Sequence, residues 1–338
     1  MLMVMKKMIN DPFKVTDELV EGFIRANPDK VRKVEGMNVV VRNDAPIRNK
    51  VGVVIGGGSG HEPLFLEMVG KGMGDAAAHG AIFTSPPADL IHEAVRQVNG
   101  GAGIVFVYGN YMGDRLNFDM AAEMAEAEGI EAKTIRVWDD MASAPIDKIS
   151  ERRGIAGDLF VIKGAGAKAE TMADLKEVER AAKKVRDNCR SMGVALTSCT
   201  IPATGKLTFT IGDDEMEIGM GAHGEPGVLR TGLKPADEIA QILTERIIQD
   251  LSLEDGDEVN VLVNGFGSTT RMEMLILYRK ADMILKDRGI KVYDVVIGSF
   301  LTTQEMAGAS FTFLKLDDEI KQLWDSPADS PGFSKCSK

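Results

Sequence analysis

The sequence predicts an α/β fold: two α/β domains, each a mixed sheet flanked by helices, joined by a long helix. Short apolar, β-branched runs alternate with amphipathic stretches, which is the pattern of α/β units. The second half is richer in consecutive strand-like runs, which favours some antiparallel pairs. A length of 338 residues is sufficient for two domains. We expect an N-terminal domain over residues 1–190 and a C-terminal domain over residues 191–338.

Runs rich in valine and isoleucine predict the strands, and the amphipathic stretches between them predict the helices. In the first half the strands are expected at residues 51–55, 103–108, 133–137 and 159–162. In the second half they are expected at 194–196, 206–211, 215–218, 258–263, 292–297 and 310–315. The helices are expected at 15–26, 63–70, 88–98, 118–128, 235–249 and 270–288.

One longer helix is predicted from residue 170 to residue 192. Its apolar residues recur at spacings of three and four and so form one stripe; they are Leu175, Val178, Ala182, Val185, Cys189 and Met192. Gly193 follows as a natural helix terminator. We expect this helix to connect the two domains, and we expect a Pro/Ser-rich tail over residues 326–338.

Charge and composition exclude several classes of protein. The net charge is −11, with no cluster of Lys and Arg among aromatic residues, so nucleic acid and anionic membranes are poor partners. The three cysteines lack C-x-x-C spacing, which indicates neither a disulfide framework nor a structural zinc site. No run approaches the ~20 apolar residues of a membrane span. The apolar stretch before Lys6 is too short for a secretory signal, and we expect a soluble, cytoplasmic protein.

Two of the four histidines stand in glycine-rich turns beside a glutamate and a proline. The first turn, GGGSGHEP at residues 56–63, contains His61 and follows a strand-like run. Glycines let the backbone approach a ligand, and an imidazole supplies a nucleophile or carries a proton. The turn lacks the lysine of a P-loop, and His61 replaces the last glycine of a dinucleotide-binding turn. It therefore indicates a site for a small polar molecule, with a tight structural turn as the alternative.

The second turn, GMGAHGEPG at residues 219–227, contains His223. Neither this histidine nor His61 has a histidine or cysteine at metal-binding spacing, so we expect no metal site. A neutral imidazole can instead add to the carbonyl carbon of a ketone or aldehyde, which is a form of nucleophilic catalysis.

A third motif, GNYMGD at residues 109–114, follows a strongly apolar run. Asp114 at the end of a buried strand is well placed to accept a proton from a bound hydroxyl. It is equally well placed to cap a helix that begins near residue 116 or 117. The spacing alone does not distinguish the two.

Taken in order, these motifs resemble the substrate-binding (K) subunit of dihydroxyacetone kinases over nearly the whole chain. The resemblance is carried by KKMIND (6–11), DAP (44–46), GGGSGHEP (56–63), IFTSP (82–86), NYMGD (110–114), HGEPG (223–227), GASFTFLKL (308–316) and LWD (323–325). Each motif alone is modest evidence, whereas their order is specific.

The resemblance implies a role for each motif. His223 would form a hemiaminal with the ketone carbon of a short ketose, which selects carbonyl compounds over glycerol. His61 would hydrogen-bond the substrate and assist acid–base chemistry, and Asp114 would deprotonate the hydroxyl that attacks phosphorus. The substrate pocket would be lined by Gly58, Ser59, Gly60 and Gly109.

The chain departs from the family pattern at Gly109, where many dihydroxyacetone-specific relatives carry lysine. The glycine removes a positive charge and leaves room for a larger substrate. A four-carbon ketose such as erythrulose is therefore an alternative to dihydroxyacetone.

The resemblance also bears on partners. Single-chain relatives carry a further nucleotide-binding domain whose aspartates hold magnesium, and nothing in this sequence matches it. The resemblance thus implies no cofactor on this chain, with Mg-ATP or ADP on a separate nucleotide-binding L-type subunit. That subunit would be charged by ATP exchange or by a phosphoryl-carrier protein of the sugar phosphotransferase system. The family further implies a homodimer.

Three functions compete at this point. The first is the ketose-binding subunit of a kinase, and the second is a non-catalytic ketose sensor that acts as a transcriptional coactivator. Sensing needs only the covalent tether at His223, so the presence of His61 and Asp114 favours catalysis. A nicotinamide-dependent dehydrogenase is disfavoured because the glycine fingerprint is broken at His61.

Overall fold

Within residues 6–336, the part of the chain that the computed structural model describes, two six-stranded mixed sheets flanked by helices form the framework. This arrangement confirms the predicted α/β fold class. Residues 1–5, on which part of the expectation about a secretory signal depends, lie outside the described residues. Between residues 6 and 336, no helix combines the length and the apolar character needed to cross a bilayer.

The first sheet is built from the first half of the chain. Its elements are α1 (Val15–Ala26), β1 (Val31–Lys33), β2 (Val39–Arg42), β3 (Gly52–Ser59), β4 (Ala76–Ile82), α2 (Ala88–Val98), β5 (Ile104–Gly109), α3 (Met112–Ala127), β6 (Ala132–Val137), α4 (Asp158–Glu170) and α5 (Leu175–Asp187). The strand order is β1-β2-β4-β3-β5-β6. The pairs β3–β4, β3–β5 and β5–β6 are parallel, whereas β1–β2 and β2–β4 are antiparallel.

The second sheet has the order β11-β10-β7-β14-β12-β13 and is mostly antiparallel. The elements of this half are β7 (Cys189–Ala195), β8 (Thr200–Ile201), β9 (Lys206–Leu207), β10 (Glu215–Ile218), β11 (Leu229–Gly232), α6 (Ala236–Asp250), β12 (Glu258–Gly265), α7 (Arg271–Asp287), β13 (Lys291–Gly298), β14 (Gly308–Lys315), α8 (Asp318–Asp325), β15 (Ala328–Asp329) and β16 (Ser334–Lys335). Only β12 and β13 are parallel, because α7 provides the crossover between them.

Apolar packing joins the two sheets. Side chains of α2 and α3 form one cluster with the first sheet, and those of α4 and α5 form another. The helices α6 and α7 pack against the second sheet. The cluster that contains α4 also includes Leu262 of β12, Leu314 of β14 and Trp324 of α8. The core is therefore continuous from one sheet to the other, and the loops at their edges have fixed relative positions.

The predicted long helix over residues 170–192 is wrong. The segment is divided between the end of α4, the whole of α5 and most of β7. Asn188 ends α5, and its side-chain amide donates to the Lys184 carbonyl. Cys189 and Met192 then lie in β7, which pairs with β14 near the centre of the second sheet. Strand β7 is buried along its whole length, and the spacing of its Cys189 and Met192 imitated one more helical turn.

Four shorter predictions are also corrected. Residues 159–162 belong to α4, which is buried on all sides, so the short apolar run did not distinguish strand from helix. The helix predicted at 63–70 is only a 3₁₀ turn at Leu66–Met68. The strand predicted at 206–211 is limited to β9. The tail is not extended: β15 and β16 pair, and Phe333 packs in the core.

Candidate functional site

The first histidine turn leaves the centre of the first sheet. Strand β3 lies between β4 and β5, and its glycines at residues 56–58 pass close to neighbouring groups. A Cβ atom on Gly56 would lie 2.5 Å from the Ala78 carbonyl oxygen, and one on Gly57 would lie 2.4 Å from the Phe65 ring. These contacts leave no room for side chains. The run is glycine because the strand end is packed tightly against β4 and against the loop that follows.

His61 is held in a buried position just after this strand. Its Nδ1 lies 2.7 Å from the Thr302 carbonyl oxygen. A carbonyl can only accept, so Nδ1 carries the hydrogen of the neutral ring and Nε2 carries the lone pair. Burial, followed by the neighbouring charge of His223, lowers the pKa of His61 to about 3. The ring is therefore neutral at physiological pH.

His223 lies in the loop that follows β10 of the second sheet. Its Nδ1 lies 2.9 Å from a Glu225 carboxylate oxygen, and its backbone N–H donates to the other oxygen at 2.9 Å. Burial alone would raise the pKa of Glu225, but the His223 hydrogen bond and charge, with the charge of Arg153, lower it to about 2. The carboxylate therefore stays ionised and holds the hydrogen of His223 on Nδ1.

The two imidazoles meet through their remaining nitrogens. The Nε2 atoms of His61 and His223 lie 3.0 Å apart, and the rings are nearly perpendicular with centroids 4.8 Å apart. Both Nδ1 atoms are already donors, so two neutral rings would direct lone pairs at each other. The contact becomes a hydrogen bond when one further proton lies between the rings. The Glu225 carboxylate beside His223 balances the positive charge that such a proton brings to the pair of rings.

Asp114 approaches from the first sheet. It lies in the first turn of α3, which begins at Met112 with Tyr111 as the N-cap. The alternative that Asp114 caps a helix starting at residue 116 or 117 is therefore wrong. Its Oδ1 atom is buried and has no hydrogen-bond partner among the described residues. Burial raises the pKa of Asp114 to about 6, against the opposing effects of a Ser85 hydrogen bond and the charge of His223.

One cavity brings these groups together. His61, His223, Asp114, Gly58 and Gly109 all line it. The cavity is narrow, with about 20 Å³ open to a water-sized group, which is about the room of one water molecule. The sequence motifs thus converge on one place, although they lie on two different sheets.

Two residues expected in the pocket lining are turned away from it. The Ser59 hydroxyl is buried and donates to the Gly80 carbonyl oxygen at 2.8 Å. The Gly60 N–H donates to the Glu62 carboxylate, with both oxygens at 3.0 Å. Neither residue lines the cavity. Both stabilise the turn that presents His61.

Several groups at the site were not identified from the sequence. Glu225 was noted only as part of its turn, although a carboxylate two residues from a histidine could have been read as its partner. Tyr111 packs edge-on against His223, with centroids 4.6 Å apart, and donates its hydroxyl to the Gly154 carbonyl. Thr302 comes from a distant segment and had no sequence signal.

Across residues 6–336, no three His, Cys, Asp or Glu side chains are grouped in a way that could hold a metal ion. The chemistry available at the cavity is that of an imidazole nucleophile, a second imidazole and an aspartate base.

Comparisons with known proteins identify the family of the chain. The Dak1 domain model matches residues 21–332. The chain is 43% identical, over 97% of its length and 99% of the relative, to the PTS-dependent dihydroxyacetone kinase 2 dihydroxyacetone-binding subunit DhaK of Listeria innocua. It is 38% identical to an L-erythrulose kinase of Pectobacterium atrosepticum, over 98% of this chain and 57% of that protein.

The fold agrees as well. The solved dihydroxyacetone kinase of C. freundii superposes with a TM-score of 0.90 at 32% sequence identity, covering 98% of this chain and 60% of that one. Similarity of sequence and of fold thus extends over nearly the whole chain. The chain therefore belongs to the Dak1 family, together with the DhaK subunits of dihydroxyacetone kinases.

Proposed function

We propose that this chain is the ketose-binding subunit of a dihydroxyacetone kinase. The observation that carries the proposal is the convergence of His223, His61 and Asp114 on one small cavity. The Listeria relative is named as a dihydroxyacetone-binding subunit, and its length matches this chain. A three-carbon ketose has too few atoms to bind tightly at ~1.5 kcal/mol per heavy atom or less, so a covalent tether is chemically reasonable.

Attachment of the ketose begins with His223. The proton shared by the two rings first moves to His61 Nε2, which frees the His223 Nε2 lone pair. This lone pair attacks the ketone carbon, so that a C–N bond forms and the C=O π electrons move to oxygen. His61 then gives its proton to that oxygen. A ring with a pKa near 3 gives up a proton readily. The products are a hemiaminal hydroxyl, neutral His61 and an alkylated His223 imidazolium that stays paired with Glu225.

Phosphorylation then uses Asp114. The carboxylate takes the proton of a terminal substrate hydroxyl as its oxygen forms a bond to the terminal phosphorus of a nucleoside triphosphate. The bond from that phosphorus to the nucleoside diphosphate breaks, and the diphosphate is the leaving group. A separate L-type subunit holds the nucleotide with Mg²⁺, and its phosphoryl group is renewed by ATP exchange or by a phosphoryl-carrier protein. The chain works in the cytoplasm as a homodimer.

The Asp114 carboxyl, whose Oδ1 atom has no partner among the described residues, favours this enzyme over a ketose sensor. A tether at His223 is sufficient for sensing, whereas an ionisable carboxyl in the same cavity with a raised pKa is suited to accept a proton. One relative is named as an L-erythrulose kinase. Four-carbon ketoses therefore stay alternative substrates for this chain.

Reconstitution tests the proposal. The purified chain is mixed with a DhaL-type nucleotide subunit, Mg-ATP or a phosphorylated carrier, and dihydroxyacetone, and ketose phosphate is measured by mass spectrometry. We expect product with the wild type and none above background with Asp114→Asn. Ketose binding without turnover under every donor condition would instead support the sensor.

A further inference from the structure

Asp158 is a buried carboxyl in the cavity wall that the proposed mechanism does not use. It is the first residue of α4, is 1% exposed, and lines the same cavity as His223 and Asp114. Its Oδ1 atom has no hydrogen-bond partner among the described residues. More than nine in ten buried polar groups are paired in native proteins, so an unpartnered oxygen in a cavity wall points to a ligand.

The surroundings of Asp158 determine what kind of ligand suits it. Burial raises its pKa well above the usual range, and the charges of Asp139 and Asp114 act in the same direction. These surroundings favour the protonated form, and a protonated carboxyl can both donate and accept a hydrogen bond. A hydroxyl has the same two capacities, whereas a carboxylate or phosphate would be repelled by the neighbouring aspartates.

Two glycines of the cavity wall pack closely beside this carboxyl. A Cβ atom on Gly109 would lie 3.3 Å from Asp158 Oδ2 and 3.2 Å from the Tyr111 ring. A Cβ atom on Gly154 would lie 2.6 Å from the Gly109 Cα, so that position has no room for a side chain. A side chain at Gly109 would therefore press directly on Asp158 and Tyr111. Both glycines line the cavity.

We propose that Asp158 forms the polar end of a subsite for the hydroxyl that a four-carbon ketose carries beyond the third carbon. The subsite rests on the proposed function, which places the carbonyl carbon at His223 and one terminal hydroxyl at Asp114. The other arm of the ketose is then free to extend past Gly109. Dihydroxyacetone has one hydroxymethyl group on that arm, and erythrulose has a further carbon and hydroxyl.

Binding of three ketones tests the subsite without any phosphoryl donor. The ketones are dihydroxyacetone, erythrulose and 1,3-dihydroxybutan-2-one, which has four carbons but lacks the terminal hydroxyl. Dissociation constants are measured by isothermal titration calorimetry. We expect the wild type to bind erythrulose about tenfold or more tightly than 1,3-dihydroxybutan-2-one, since one hydrogen bond to a buried group is lost.

Three variants complete the test. Asp158→Leu removes the hydrogen bond and should reduce the preference for erythrulose over its deoxy analogue to within about twofold, whereas Asp158→Asn keeps a donor and an acceptor and should retain most of it. Gly109→Lys fills the space and should weaken erythrulose binding more than dihydroxyacetone binding. Circular dichroism shows whether Asp158→Leu folds. If it does not fold, the result for Gly109→Lys still decides the test.

The outcomes separate the two proposals. If all three ketones bind and the substitutions at Asp158 and Gly109 change their affinities equally, the subsite is overturned while the proposed function stands. If the wild type does not distinguish erythrulose from its deoxy analogue, the subsite is likewise overturned. If no ketone binds the wild type, the proposed function fails and the subsite with it.

Discussion

The Nε2 atoms of His61 and His223 lie 3.0 Å apart, although 162 positions separate the two residues in the chain. Each ring is oriented from behind by an acceptor at its Nδ1, the Thr302 carbonyl for His61 and the Glu225 carboxylate for His223. This arrangement leaves the two Nε2 atoms to share a proton. The pair of rings thus provides, at one point, both the nucleophile and the proton that the hemiaminal oxygen requires.

Replacement of the nucleophile tests the covalent tether. In His223→Ala, we expect ketose affinity to fall by at least about 100-fold, since a covalent bond is replaced by a few weak contacts. The ketose adduct should disappear from the intact-protein mass spectrum, and polyols without a carbonyl should become comparable ligands. His92→Ala is the matched control, because that imidazole is buried in α2 outside the cavity. Unchanged ketose affinity in His223→Ala would refute the tether.

The charge of Glu225 should matter more than its shape. Glu225→Gln can still accept from His223 Nδ1, but it removes the negative charge that balances the shared proton. We expect ketose affinity at pH 7 to fall about 10- to 100-fold, as for loss of a charged hydrogen bond.

A glutamate from the first turn provides the control for that variant. Glu62 accepts from the Gly60 N–H. Glu62→Gln should keep ketose affinity within about threefold, the range of a neutral hydrogen-bond change. If calorimetry gives equal losses for both variants, the special role of the Glu225 charge is disproved.

The pH dependence of turnover should report Asp114. The carboxyl acts as a base only when ionised, and burial raises its pKa to about 6. The acid limb of kcat/KM should therefore rise about tenfold between pH 5 and pH 7. His61, with its pKa near 3, adds no limb in that range. A flat profile between these pH values, measured with a saturating phosphoryl donor, would exclude Asp114 as the base.

The stability of the fold should depend on one aspartate outside the cavity. Asp250 of α6 accepts two bonds from buried Arg152, at 2.8 and 2.7 Å, and one from buried Arg190 at 2.7 Å. Asp250→Asn leaves two buried guanidinium groups without a counter-charge. We expect it to lower the free energy of unfolding by about 3–5 kcal/mol, measured by urea denaturation at pH 7.

The effect of this variant should also depend on pH. Burial opposes ionisation of Asp250, but the bonds and charges of Arg152 and Arg190 lower its pKa below the unfolded value. The stabilisation is therefore present above about pH 4 and is lost as the pH falls further. Asp237→Asn, which breaks an exposed pair with Arg279, is the control and should cost less than about 1 kcal/mol. Equal losses in the two variants would contradict the buried network.

Elements with a clear local period were predicted well. The helices α1 and α2 begin and end at the expected residues, as does the strand β10. In each case the alternation of apolar and polar residues reflects one buried face, and that pattern is written in neighbouring positions. The fold class follows from the same alternation of runs along the chain.

Elements buried on all sides were predicted badly. Helix α4 and strand β7 are both almost continuously buried, so neither has the pattern of one buried and one exposed face that distinguishes a helix from a strand. The pairing of β7 with β14 across more than a hundred residues determined that Cys189 and Met192 are in a strand. Such pairing depends on where distant segments pack and not on local propensity.

By itself, the sequence determined the chemical groups of the site: a histidine in each glycine-rich turn and an aspartate after a buried run. The sequence shows these groups because residue type and near neighbours are enough to define a turn and its functional group. Only the tertiary structure decided that the two imidazoles touch, that Asp114 Oδ1 has no partner among the described residues and that Asp158 lines the same cavity. Distances and shifted pKa values arise from burial between two sheets, and burial exists only after residues far apart in the chain have packed together.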